Sequence, residues 1–121
     1  MSRQYDLDDR LLAFAIRVCQ LADRLPPTLL GRHACLQLIR SATSPAANYA
    51  EMQAAESRRD FVHKLRICLK ELREVSTWLR FVGRMELCAP NELTGAEREC
   101  DELIAILVTS IRTAQRRIAD T

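Results

Sequence analysis

The chain has 121 residues, is 48% hydrophobic and 28% charged, and contains only 3 Gly and 4 Pro. These values exclude a disordered or fibrous chain, supply too few turn residues for an all-β fold, and fit a single domain over residues 1–121. The net charge of +2 does not by itself imply nucleic acid, and the longest run without Asp, Glu, Lys or Arg is the ten residues Ser41–Ala50, too short for a transmembrane helix. The start, Met-Ser-Arg-Gln-Tyr-Asp, has no apolar core segment, so a cytoplasmic protein without a secretory signal is expected. Five cysteines, Cys19, Cys35, Cys68, Cys88 and Cys100, form no C-x-x-C pair and are expected as free thiols.

Four helices are predicted. The first covers about Leu7–Leu25, with Leu7, Leu11, Phe14, Val18, Ala22 and Leu25 on one face. Asp6 or Asp8 is its expected cap and Pro26-Pro27 its stop. The second starts near Thr28, takes its apolar side from Leu29, Leu36 and Ile39, and then turns alanine-rich. Pro45 in its middle predicts a kink or two shorter helices, because proline removes a hydrogen bond and crowds the preceding turn.

The third helix follows Ser57, a cap with Asp60 at the capping-box position. Phe61, Leu65, Cys68, Leu72, Val75, Leu79 and Val82 step four and three residues apart, which is a heptad seam ending near Gly83. The fourth helix is expected to open at the capping box Thr94-Gly95-Ala96-Glu97, about ten residues later, and to bury Cys100, Leu103, Leu107, Ile111, Ala114 and Ile118. Its acidic start and its basic end, Arg112, Arg116 and Arg117, both oppose the helix dipole favourably. Short connections make the simplest architecture an all-α, antiparallel, up-down-up-down four-helix bundle.

No constellation for catalysis stands out. His33 and Cys35 are two apart and point to different sides of a helix, and His63 shares its face only with Asp60. No Glu stands three residues before either histidine, so the di-iron pattern fails, and no phosphate loop or nucleophile elbow is present. A non-enzymatic protein without cofactor or metal is expected.

Two further sets lie on the third helix. Arg59, Arg66, Lys70, Arg73, Arg80 and Arg84 fall in one sector, about 100–180° from Phe61, that holds no acid. They could track phosphates, or form a solvated face paired with acids such as Glu97–Glu102. Of the 18 cations in the chain 16 are Arg, the type suited to bidentate phosphate contacts; a GC-rich genome would give the same bias. Ile67, Trp78, Phe81 and Met85 form a second apolar set, away from the seam, and are the candidate oligomer interface. Leu12, Ile16 and Cys19 widen the apolar arc of the first helix in the same way.

The stretch Gln37–Glu51, with Gln37, Arg40, Ser41, Ala42, Ser44, Asn48, Ala50 and Glu51 in place, resembles the central signature of the four-helix-bundle family also known as the large-subunit rRNA intervening-sequence protein family. Asp60, Phe61 and Leu65, followed by Lys70-Glu71, Arg73-Glu74 and Trp78-Leu79-Arg80, resemble its next block. Where many members have Gly after the Ala-Glu pair, this chain has Met52. The family is related to the accessory variability protein of diversity-generating retroelements, which assembles as a homopentameric barrel and binds nucleic acid with its reverse transcriptase. The resemblance therefore implies a four-helix bundle, a homo-oligomer (a pentamer), and RNA or DNA as partner. The competing role is a scaffold for a protein encoded nearby. Arg40, Ser41, Asn48 and Glu51 match the motif and are expected to make structural polar contacts, with Arg40 and Glu51 paired across the kink.

Overall fold

The computed structural model describes residues 3–120. These form four helices: α1 (Arg3–Asp23), α2 (Leu29–Met52), α3 (Arg58–Arg84) and α4 (Pro90–Ala119). Among the described residues each helix packs closely on its two neighbours, the diagonal pairs are farther apart, and the α1–α4 seam is the loosest. The chain is a four-helix bundle. Cross-seam contacts pair early residues of one helix with late residues of the next: Asp8 with Gln53, His33 with Trp78, Arg58 with Arg117, and Arg24 with Glu92.

The α1 helix begins before Leu7, so Asp8 lies inside it and does not cap it. It ends at Asp23 because Pro26 and Pro27 cannot continue it, and its last turn tightens through Arg24 N–H to Leu21 O, 3.1 Å. Thr28 caps α2 by accepting from Gly31 N–H at 3.1 Å. The helix then runs unbroken through Pro45 to Met52, so the alternative of two shorter helices does not hold. Ser57 caps α3 as expected, accepting from Asp60 N–H at 3.0 Å.

The start of α4 differs from expectation. Ala89 is its N-cap and Pro90 its first residue; proline gives up no helical hydrogen bond there and holds φ at a helical value. Thr94 lies in the second turn, donating to Pro90 O at 3.0 Å, so the Thr94 capping box is not used. The connection shortens to Met85–Ala89. It turns sharply because Glu86 takes a left-handed φ of 55°, with Glu86 N–H on Gly83 O and Leu87 N–H on Val82 O. That bond pair is a Schellman motif with Glu where Gly usually sits.

The core follows the predicted faces of α1, α3 and α4: Leu11, Val18, Leu65, Cys68, Leu72, Leu79, Cys100, Leu103 and Leu107 are all fully buried. At the two ends Phe61 and Ile118 are half-buried, and Val62 replaces Phe61 in the seam. The face of α2 departs from expectation. Leu29 and Leu36 are 86% and 67% exposed, and Ile39 is half-buried. The inner face is instead Gly31, Ala34, Leu38, Ser41, Ala42, Pro45, Tyr49 and Met52. Its small residues bring α2 close: a Cβ at Gly31 would strike the Pro26 carbonyl, and the Cys68 thiol reaches the Pro45 carbonyl at 3.4 Å.

A candidate nucleic-acid interface on the third helix

Arg59, Arg66, Lys70, Arg73, Arg80 and Arg84 are all exposed. With His63 and Thr77, also exposed, they complete an unbroken line at residues 59, 63, 66, 70, 73, 77, 80 and 84, spaced alternately four and three. At 1.5 Å per residue this ridge is about 37 Å long. It contains no acid, and none of its six cations joins an ion pair among the described residues. The side-chain hydrogen bonds on it stay within the line itself: Arg80 donates to Thr77 Oγ1 at 3.4 Å, and Thr77 Oγ1 donates to the Arg73 carbonyl at 3.2 Å.

Three acids of α4, Glu92, Glu99 and Glu102, are committed elsewhere. Arg10 of α1 holds Glu99 at 2.7 Å and Glu102 at 3.0 Å, and Arg24 holds Glu92 at 3.6 Å. The hydrogen bonds that Arg10 donates to Glu99 raise its pKa above the ordinary value. Arg17, between them, lies over Gly95 of α4. Arg10, Arg17 and Arg24 are seven residues apart, as are Glu92 and Glu99, so each set lies on one helix face. That repeat was open to the eye in the sequence and is what closes the α1–α4 seam. It also means Glu99 and Glu102 do not neutralise the α3 ridge.

The motif residues sit on the α2–α3 seam. Arg40 pairs with Glu74 and reaches Glu71 at 3.4 Å. Glu51 pairs with Lys64 of α3 at 3.7 Å. The expected Arg40–Glu51 pair is therefore replaced by two cross-helix pairs, because Arg40 and Glu51 are eleven residues apart, three turns along α2. Ser41 is fully buried and donates to Gln37 O at 2.6 Å; Asn48 donates to Ser44 O and Oγ at 3.0 and 2.9 Å. The two motif blocks thus face each other and build the seam.

The apolar set of α3 lies on the flank toward α2. Trp78 is half-buried, edge-on to His33 at 5.3 Å and to Phe81 at 5.5 Å between ring centroids. Phe81 and Ile67 are half-buried, and Met85 is exposed. The larger exposed apolar side chains are Leu12 (54%) and Ile16 (51%) on α1, and Leu29 and Leu36 on α2, where they step four and three residues from His33 along the same face. Cys19 and Cys35 are half-buried.

A family model described as 23S rRNA-intervening sequence protein matches residues 4–109. The chain belongs to the 23S rRNA-intervening sequence protein family. A crystal structure of a protein of unknown function from the S23 ribosomal protein family, from Bacteroides thetaiotaomicron, is similar to it, with 30% identity and a TM-score of 0.81, over 92% of this chain and 99% of that one. No curated protein matches the chain.

Among the described residues no three His, Cys, Asp or Glu cluster as metal ligands. Burial pushes the Cys68 and Cys100 thiols up to about 12, leaving both protonated and unreactive near neutrality. No helix of the described residues is long and apolar enough to cross a membrane.

Proposed function

We propose that the protein is a non-enzymatic, homo-oligomeric accessory protein of the cytoplasm that holds nucleic acid along the α3 ridge. The observation carrying this reading is the acid-free line of six exposed cations that join no ion pair among the described residues. Unpaired arginines held in a row by one rigid helix suit a polyphosphate backbone, and they displace its counterions on binding. The absence of an aromatic on the ridge favours backbone contact over base stacking. The family's printed name, which refers to 23S rRNA, supports RNA as the first polymer to try.

The test is fluorescence anisotropy with single-stranded and duplex RNA and DNA at low salt. Micromolar binding is expected, with a log–log salt slope of up to about −4 if all six cations engage a single strand. The variant R66E/K70E/R73E should abolish binding while the helical signal and the oligomer persist. No binding to any of the four polymers at micromolar protein and low salt would refute the proposal.

A scaffold that docks a protein partner is the second reading. Exposed Leu12, Ile16 and Leu36 favour it, since apolar side chains of that size on a helical surface suit a protein interface. The same surface serves self-association in the first reading, where it complements the half-buried Trp78 flank as the site of contact between copies. A pentamer is the assembly to expect from the family resemblance, and light scattering decides its number.

A further inference from the structure

At the end of the bundle where α2 passes into α3, the core is open. Met52 is the last residue of α2 and Phe61 lies in the first turns of α3, while α4 presents the small Ala114 there. The step from Ile111 to Ala114 removes side-chain volume beside Phe61 and leaves a cavity of about 340 Å³. That volume is at the small end of ligand-binding pockets, which run from roughly 300 to 1,000 Å³. Its floor is apolar, formed by Met52, Phe61, Ala55 and Ala114, and two guanidiniums, Arg58 and Arg117, line it as well. No acid lines it.

The two arginines come from different helices and are brought together by the fold. Arg58 Nη1 donates to the backbone carbonyl of Arg117 at 3.1 Å, which holds its head group at the cavity and leaves its other N–H groups unused. Neither arginine has a carboxylate partner among the described residues. Two like charges beside an apolar hollow repel each other, and an anion between them relieves the repulsion. Guanidinium forks match carboxylate and phosphate oxygens in pairs.

We propose that this cavity is a binding site for a small amphipathic organic anion, its apolar body on Phe61 and Met52 and its carboxylate or phosphate on Arg58 and Arg117. The site is separate from the α3 ridge, since none of its lining residues is among the ridge cations.

The probe is 1-anilinonaphthalene-8-sulfonate, an apolar aromatic body with one anionic group, titrated into the full chain in its native assembly. Saturable fluorescence enhancement with one site per chain is expected. The uncharged N-phenyl-1-naphthylamine should bind at least tenfold more weakly. R58Q/R117Q should weaken the anion at least tenfold with the thermal midpoint unchanged, and A55L, which fills the cavity from the connecting loop, should do the same. L12S/I16S, on the other exposed apolar surface, should leave it unaltered. Displacement by octanoate identifies a carboxylate site and displacement by phenyl phosphate a phosphate site. Four results would each overturn the proposal: no saturable binding at millimolar probe, equal binding by R58Q/R117Q, loss of binding in L12S/I16S, or displacement by neither competitor at 10 mM.

Discussion

Arg40 on α2 is ion-paired to Glu74 on α3, and the same guanidinium lies 3.4 Å from Glu71, one turn earlier on the same face. One arginine thus bridges two carboxylates across the seam where the two sequence motifs meet. Arg40 is 53% exposed while Glu71 is only 14% exposed, so solvent screens the arginine and the penalty of losing it falls on Glu71. Arg40→Ala should destabilise the chain by about 1 kcal/mol in urea unfolding. In a cycle with Glu74→Ala the coupling should be about 0.5 kcal/mol and shrink in 1 M salt.

Two helical glycines should respond in opposite ways to alanine. A methyl group at buried Gly31 would meet the Pro26 carbonyl, which is backbone and cannot step aside, so Gly31→Ala should cost about 2 kcal/mol or more. At Gly95 the methyl meets only the guanidinium of Arg17, which can rotate away. Gly95→Ala should therefore be neutral or gain up to about 1 kcal/mol from helix propensity. Thermal midpoints of the two variants decide this directly.

Glu86 closes the α3 Schellman motif with a φ of 55°, a conformation in which a side chain crowds the following carbonyl. Glu86→Gly should raise stability by about 0.5–1 kcal/mol, the reverse of the usual effect of introducing glycine. A drop in the thermal midpoint would contradict the left-handed turn.

The buried thiols give a pH dependence with a definite sign. Burial raises Cys68 and Cys100 from an ordinary value of 9.0 to about 12 in the folded chain. The stability tied to this shift is complete below pH 9, where both states carry the thiol. It falls as pH rises toward about 12, because only the unfolded chain ionises there. The slope is at most about 1.4 kcal/mol per pH unit for each thiol. Mass spectrometry after iodoacetamide at pH 8 should find both cysteines unmodified in the native chain and modified in denaturant.

Side-chain burial separates two candidate interfaces. Ile16 is 51% exposed and lies outside the buried core, so Ile16→Glu should change stability by less than about 0.5 kcal/mol. Trp78 packs on His33 and Phe81, so Trp78→Glu should destabilise the bundle by about 1–3 kcal/mol. If α1 and α2 carry the contact between copies, Ile16→Glu yields a 13.8 kDa monomer of unchanged thermal midpoint in light scattering. If Trp78→Glu does so instead, the α3 flank is the interface.

Periodicity decided which way α1, α3 and α4 face, because their inner positions are large aliphatic residues whose spacing survives any tertiary context. The exposure of the α3 cations was equally legible, since they repeat at helical spacing on the side turned away from the apolar seam. On α2 the same reasoning failed. Gly31, Ala34, Ser41, Ala42 and Pro45 are too small to advertise an inner face, whereas Leu29 and Leu36 share its period and are turned outward. Size complementarity with α1 and α3 chose the face, and complementarity belongs to the packed bundle alone.

Pairing was also a tertiary decision. Composition shows 18 cations, 16 acids and a net charge of +2, which suggests mutual neutralisation. The fold assigns Glu92, Glu99 and Glu102 to Arg24 and Arg10, and Glu71 and Glu74 to Arg40, and among the described residues it leaves the α3 ridge without an ion pair. The sequence by itself determined that a small helical bundle would form and which residues carry its charge. Only the tertiary structure decided where that charge remains unopposed, because ion pairing acts over a few ångströms and depends on which helices become neighbours.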